Sequence, residues 1–507
     1  MKKKNVLLII VTGAFFEAFI AITATVNAQQ ARPKMATGIP ASISTPDSIK
    51  TRLGTLKFFD GFPDDATVQK VYDNLDFQRG VQAFLTALPA ASLYATRAGY
   101  RTFGPDNQAV LITESLMDSR TLFLVPNTET IYNTVWGDTK DGPLVLEVPP
   151  NVLGMINDFW GRYVADLGRV GPDKGKGGKY LLLPPGYTAA VPEGYFIVHP
   201  RTYGNFIWLR GFLVNGDPRP TVGNMKKYFR VYPLALASNP PATNFVNISG
   251  KYFNTILAND ASFFDQVAHV VQEEPLDAVD PETRGLLAAI GIQKGKPFAP
   301  DARMKGILVD AAAVGNATAR AIVFRTRDRD AYYYPNSAWK MAFIGNDPGF
   351  SPGGLLNPDA RTLFFYCATG TSPAMAMKMV GFGSQYAYTE QDAAGHYLNG
   401  GNLYRLHLPP NAPVKDFWSL LLYDPQTRSE LQTDQQFPSI SSQKESIVIN
   451  PDTSVDIYFG PKPPPGKEAN WVQTVPGKGW WVILRLYGPL EPWFDKTWRP
   501  GEIELLE

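Results

Sequence analysis

From Asp65 onward the apolar positions first fall on a helical period. Val68, Val71, Tyr72 and Leu75 sit at i, i+3, i+4 and i+7, one stripe of an amphipathic helix. A second helix is expected over Phe77 to Ala98, bent near Pro89. The period then shortens. Ala109 to Thr113, Thr121 to Pro126, Thr130 to Asp138 and Pro143 to Val148 are short β-like runs separated by Gly, Asp or Pro. Tyr163 to Leu167, Lys179 to Leu183, Tyr195 to His199 and Asn205 to Phe212 continue the series, at a spacing that predicts a β-sandwich.

Residues 221–325 return to helical patterning. Asp265, Val267, Val270 and Val271 share one helical run, Asp280-Pro281-Glu282 signals entry into a helix over Pro281 to Ile290, and Asp301 to Phe324 is long, Ala-rich and amphipathic. From Tyr332 strands resume, with Leu403 to Leu408, Phe417 to Tyr423, Ser446 to Ile449, Ser454 to Phe459 and Trp480 to Tyr487 alternating or running apolar, as in a jelly roll or similar two-sheet domain. The chain reads as mainly β with a helical segment. Its parts are an extended arm rich in Ala, Ser, Thr and Pro (29–63), helices plus a sandwich (64–220), a helical module (221–330) and a two-sheet domain (331–507).

Residues 1–28 read as an address. Lys2, Lys3 and Lys4 precede an apolar run from Val6 to Phe16, and Val26-Asn27-Ala28 offers small residues for cleavage. Glu17 interrupts the run too early for a span of about 20 residues, and no later stretch reads as long and apolar enough to cross a bilayer. The expectation is a periplasmic or secreted protein without stable membrane insertion.

Composition narrows the function classes. The formal charge is +1, from 48 Lys+Arg against 47 Asp+Glu, which argues against a nucleic-acid footprint. A single cysteine, Cys367, excludes an intrachain disulfide framework and a Cys-based zinc site. The four histidines (His199, His269, His396 and His407) show no metal-binding spacing, so neither metal nor cofactor is expected.

Catalytic motifs fail on specific positions. Gly370-Thr371-Ser372-Pro373-Ala374 lacks the last Gly of a nucleophile elbow, and Pro373 lacks the amide that an oxyanion hole needs. Ser337-Ala338-Trp339-Lys340 matches S-x-x-K without its companion motifs. Gly175-Lys176-Gly177-Gly178-Lys179 has Asp173 and Tyr180 where a phosphate loop needs Gly and Ser or Thr. Asp166 stands out, because an inward carboxylate in a strand needs a partner, and Arg162, Arg169 or Arg210 could supply one.

Two motif clusters carry a family resemblance. Pro126-Asn127-Thr128-Glu129-Thr130-Ile131-Tyr132 is followed by Gly142-Pro143-Leu144-Val145-Leu146-Glu147-Val148-Pro149. Near the C-terminus stand Gly460-Pro461, Pro465-Gly466-Lys467-Glu468-Ala469-Asn470-Trp471, Leu484-Arg485-Leu486-Tyr487-Gly488-Pro489 and Lys496-Thr497-Trp498-Arg499-Pro500. Together they resemble the bacterial two-part family of unknown function, DUF 1254 in the N-terminal half and DUF 1214 in the C-terminal half. Glu129 departs from the pattern, where Asp is expected. The resemblance implies an immunoglobulin-like sandwich, an α-helical middle module and a C-terminal jelly roll, and supplies no mechanism.

The expected function is binding of a carbohydrate-like or small polar organic ligand between the β domains. Asn127, Thr130, Tyr132, Arg210, Arg405 and Trp339 are the candidate contacts. Seven of the ten tryptophans lie in the C-terminal third and could offer flat faces to sugar rings. The alternatives are a hydrolase or lyase using Asp166 and Glu129 as acid and base, and a non-enzymatic assembly protein, with a homo-oligomer open in each case.

Overall fold

A computed structural model describes residues 34–506; the proposed signal segment lies outside them. The chain divides into two compact units at Val71/Tyr72. In the first, Ser48–Thr51, Gly54–Phe59 and Phe62–Pro63 form a three-stranded antiparallel sheet, where the composition suggests an extended arm. The turn chemistry explains the difference: Asp60 and Gly61 both take positive φ, 46° and 86°, as a tight hairpin turn requires.

Asp65–Arg101 is one 37-residue helix rather than two. Pro89 sits inside it, and the flanking Ala83, Phe84, Ala87, Leu88, Ala90, Ala91 and Leu93 are fully buried. Packing along that face offsets the cost of about 3 kcal/mol that a mid-helix proline carries.

The second unit contains two pairs of sheets. A six-stranded sheet has the strand order 244–247, 109–112, 130–138, 204–212, 153–158, 163–168. Its Ile131, Val135, Ile156, Ile207 and Leu209 pack on Leu144, Leu146, Val148, Tyr180 and Leu182 of a four-stranded sheet. The C-terminal half repeats the plan. Ala387, Leu420, Leu422, Val482, Leu484 and Leu486 of a five-stranded sheet pack on Tyr404, Leu406, Leu408, Val455, Ile457 and Phe459 of another four-stranded sheet. The chain is therefore mainly β with a helical segment.

One sheet of each pair is buried on both faces. The outward residues of the six-stranded sheet (Tyr132, Trp136, Met155, Phe206 and Trp208) share a core with Tyr386, Tyr388, Leu421, Tyr423, Trp481 and Ile483 of the five-stranded sheet. This central layer is what positions the site.

Several local elements differ from the sequence reading. Thr121–Pro126 is not a strand, because Val125 turns into the left-handed region at φ 39°. Strands Leu153–Asp158 and Ser384–Thr389 carry little polar alternation, being buried on both faces, and only the structure reveals them. Ser446 to Ile449 is irregular. Helix Ala302–Phe324 is also long and apolar enough to cross a membrane by length and composition, with a mean hydropathy of 1.5, contrary to the sequence reading. Its Ile, Leu and Val residues supply most of that value, and Leu308, Ala311, Ala312, Ala319 and Val323 are buried in the central core.

Candidate functional site

Strand register brings the polar groups together. Arg210 lies directly opposite Tyr132 across strands Gly204–Phe212 and Thr130–Asp138, and Trp208 lies opposite Met155 on the next strand. In the C-terminal half Arg485 lies opposite Tyr386 on one side and Ser419 on the other. Side chains alternate along a strand. Arg485 and Tyr487 therefore point into the central layer, while Leu484 and Leu486 fill the sandwich behind it.

Between these two faces lies a cavity of about 80 Å³. One water needs roughly 10–15 Å³ on this measure, so several waters or one small organic molecule fit. Tyr132, Arg210, Tyr386, Thr369 and Arg485 supply the polar wall, and Phe206, Trp208, Phe343, Phe364 and Ile483 most of the apolar one. The rings are tightly set, with Tyr132 4.3 Å and Phe123 5.1 Å from Trp208, centroid to centroid. An adjoining pocket of about 20 Å³ shares Met155, Trp208, Arg210 and Met375 and adds Ser372.

The charge balance of this cavity is one-sided. Among the described residues neither Arg210 nor Arg485 forms an ion pair with Asp or Glu. Arg210 Nη1 donates to Tyr386 Oη at 3.2 Å. Arg485 Nη2 donates to the Val125 and Pro126 carbonyls at 2.9 and 3.1 Å, and its buried Nη1 has no partner. Thr369 Oγ1 and Trp208 Nε1, on the same wall, are also buried without partners. Within the protein this wall therefore presents donors that no protein acceptor satisfies. Val125 adds backbone strain, since a β-branched residue at positive φ is unusual outside functional sites.

Asn127 organises the wall from behind. Its Oδ1 accepts from Glu129 N, Thr130 N and Thr130 Oγ1 at 2.9–3.0 Å. Its Nδ2 donates to Tyr487 Oη at 2.8 Å, and its backbone N–H donates to Tyr132 Oη at 2.7 Å. Both tyrosine hydroxyls thus act as acceptors, which leaves each O–H proton free to donate elsewhere.

The residues singled out in the sequence divide as follows. Tyr132 and Arg210 line the cavity, whereas Asn127 and Thr130 bond each other and build its wall. Glu129 is buried behind that wall with Thr128 donating to both carboxyl oxygens. Burial outweighs Thr128 and the Arg485 charge and holds its carboxyl above the ordinary range. Asp166 is off the wall. Burial raises its pKa to about 7 against hydrogen bonds with Tyr163 and Ser372, and only Ser372 reaches the small adjoining pocket.

Arg405 and Trp339 lie away from the cavity. Arg405 pairs with Glu504 at 2.6 Å on the far four-stranded sheet, because strand alternation turns it to solvent. Trp339 is fully buried in the C-terminal sandwich and donates to Gly501 O at 2.8 Å. Trp418, Trp480, Trp481, Trp493 and Trp498 are likewise buried, so six of the seven C-terminal tryptophans form core rather than sugar platforms, and Trp471 is half-buried with its Nε1 donating to Gly460 O at 2.9 Å. Arg485 and Tyr386, which line the cavity, and Tyr487, which accepts from Asn127 behind it, were not among the candidate contacts. The signal for Arg485 and Tyr487 was an Arg and a Tyr alternating with leucines in a strand otherwise wholly apolar, and Tyr386 lies on a strand, Ser384–Thr389, without that pattern. Among the described residues no His, Cys, Asp and Glu gather in a group able to hold a metal.

The fold and the cavity define a mainly β protein with two sheet pairs around a buried, cationic, small-molecule-sized hollow. Residues 107–233 match the family described as "Protein of unknown function (DUF1254)", and residues 383–491 match "Protein of unknown function (DUF1214)", in the N-terminal and C-terminal halves as the motifs suggest. No curated protein matches it. The VPA0106 protein of Vibrio parahaemolyticus shares the fold, with a TM-score of 0.54 at 15% identity over 85% of this chain and 100% of that one. An uncharacterised protein from Burkholderia cenocepacia aligns over 87% of this chain and 97% of its own, at 11% identity and a TM-score of 0.40.

Proposed function

We propose that the protein binds a small organic anion with an apolar body in the cavity between the six-stranded and five-stranded sheets. One observation carries the reading: two guanidiniums that form no ion pair among the described residues face a single aromatic-lined cavity, with Glu129, the acid near Arg485, held towards its neutral form by burial. A buried cation needs a counter-charge, and arginine suits a carboxylate geometrically. The ring-rich wall suits an apolar tail, and the small volume favours an organic acid over a sugar chain. The basic N-terminal segment and its apolar run support export, which would place the binding activity outside the inner membrane.

The test is a panel of short carboxylates and their neutral amides, read by tryptophan fluorescence, since Trp208 lines the cavity, and by thermal shift. Carboxylates are expected to bind and amides to bind more weakly. Arg485→Gln should weaken carboxylate binding by about 10–100-fold, the worth of a charge-assisted hydrogen bond of roughly 1.5–3 kcal/mol. Equal binding of acids and amides would remove the anion, and binding of neither would remove the ligand site.

A further inference from the structure

Tyr386 is surrounded by more than a binding residue requires. It is buried on the cavity wall, its Oη accepts from Arg210 Nη1 at 3.2 Å, and Ser384 Oγ lies 2.5 Å away. Arg485 stands opposite it on the neighbouring strand. A phenol oxygen held by a guanidinium and a serine hydroxyl is set to carry negative charge. Tyr132 provides the contrast. It accepts from an uncharged backbone amide and keeps its own proton to give. Two phenols on one cavity are thus driven to opposite roles by their surroundings, the usual arrangement for acid–base chemistry.

The charges then match in pairs. An ionised Tyr386 is neutralised by Arg210, which leaves Arg485 for an incoming carboxylate. The free Tyr132 hydroxyl can donate to a second oxygen on the same molecule. A carboxylate with an adjacent carbonyl, and a short apolar tail for the aromatic wall, satisfies all three.

We propose that Tyr386 is a catalytic base that enolises a small 2-oxo carboxylate, a reading that rests on anion binding in this cavity. The C3–H bond breaks and its proton passes to Tyr386 Oη. The electron pair forms the C2=C3 double bond, and the carbonyl pair settles on the oxygen held by Tyr132. Return of a proton from Tyr386, exchanged with solvent, to C3 completes the cycle, and no further reactant is consumed. Burial by itself would push the Tyr386 phenol up, but Arg210, Ser384 and Arg485 outweigh it and hold it below its ordinary value. The charged and titratable groups facing it are Arg210 from strand Gly204–Phe212, and Arg485 and Tyr487 from strand Trp481–Pro489.

The experiment uses the whole chain in D2O with 2-oxobutanoate and 3-methyl-2-oxobutanoate, following loss of the C3 proton signal by NMR. Binding is measured separately by fluorescence. Exchange at least about tenfold above the protein-free rate is expected, rising with pH to a plateau. Tyr386→Phe should lower it about 100-fold, within the range of general-base contributions, with binding still detected by fluorescence. Ser384→Ala should move the plateau to higher pH. Bound ligand with only background exchange would overturn the enolisation while leaving anion binding intact. Exchange in Tyr386→Phe equal to that of the parent would overturn the role of Tyr386. If neither 2-oxo acid binds, both readings fail. Should Tyr386→Phe not fold, the pH shift in Ser384→Ala decides, and an unshifted profile counts against the base.

Discussion

Replacing Asp166 by Asn tests whether this carboxyl is neutral in the folded protein. Asp166 is buried on strand Tyr163–Gly168, and its Oδ1 has no hydrogen-bond partner. Burial lifts its pKa from 3.8 to about 7, against Tyr163 and Ser372. The folded chain therefore holds this proton more tightly than the unfolded chain. The stability it contributes is complete below pH 3.8 and is lost as pH rises to about 7. A shift of about three units at 1.36 kcal/mol each makes the whole window worth roughly 4 kcal/mol, of which about 2–3 kcal/mol falls between pH 5 and pH 8. Asp166→Asn keeps the shape and does not titrate. Its stability relative to the parent should rise by that 2–3 kcal/mol from pH 5 to pH 8, read as the difference in urea midpoints followed by tryptophan fluorescence. Glu274, also raised to about 7 by burial, is common to both proteins and cancels. A flat difference over this range would refute the buried neutral acid, and is what an ionised, paired carboxylate would give.

Three further substitutions separate wall from cavity and cavity from core. Asn127→Ala removes a turn acceptor and the donor to Tyr487, and should cost about 2–4 kcal/mol at roughly 1 kcal/mol per hydrogen bond, measured by denaturant unfolding. Trp339→Phe should destabilise by about 1–3 kcal/mol through the lost bond to Gly501 and a small cavity, with anion affinity unchanged in the fluorescence titration. Arg405→Ala should change stability by about 1 kcal/mol or less, as a surface ion pair does, and leave binding untouched.

Much of the architecture was legible along the chain. The runs at Thr130–Asp138, Gly204–Phe212, Val414–Tyr423 and Trp481–Pro489 all overlap stretches whose apolar spacing marks them as strands. Leu153–Asp158 and Ser384–Thr389 were not, since a strand covered on both faces loses the polar alternation that announces it. Val125 shows the opposite failure. Its segment is apolar enough for a strand, yet its carbonyl and that of Pro126 are bonded by Arg485, a residue 360 positions away.

The candidate site divides along the same line. Sequence placed Tyr132 and Arg210 among the polar residues of interest, but it could not separate them from Arg405, which has the same chemistry in a similar strand. The difference lies in which sheet each strand joins: Arg210 is on a sheet that borders the central layer, and Arg405 on an outer sheet whose other face meets solvent.

Local spacing therefore marked most of the element types and the presence of polar side chains within otherwise apolar strands, while the motifs carried the family resemblance. Only the tertiary structure decided that Arg210 and Arg485 share one cavity with an ion pair to neither. Periodicity acts over a few residues of one strand. Charge balance in a buried cavity depends on which strands, hundreds of residues apart, are brought face to face.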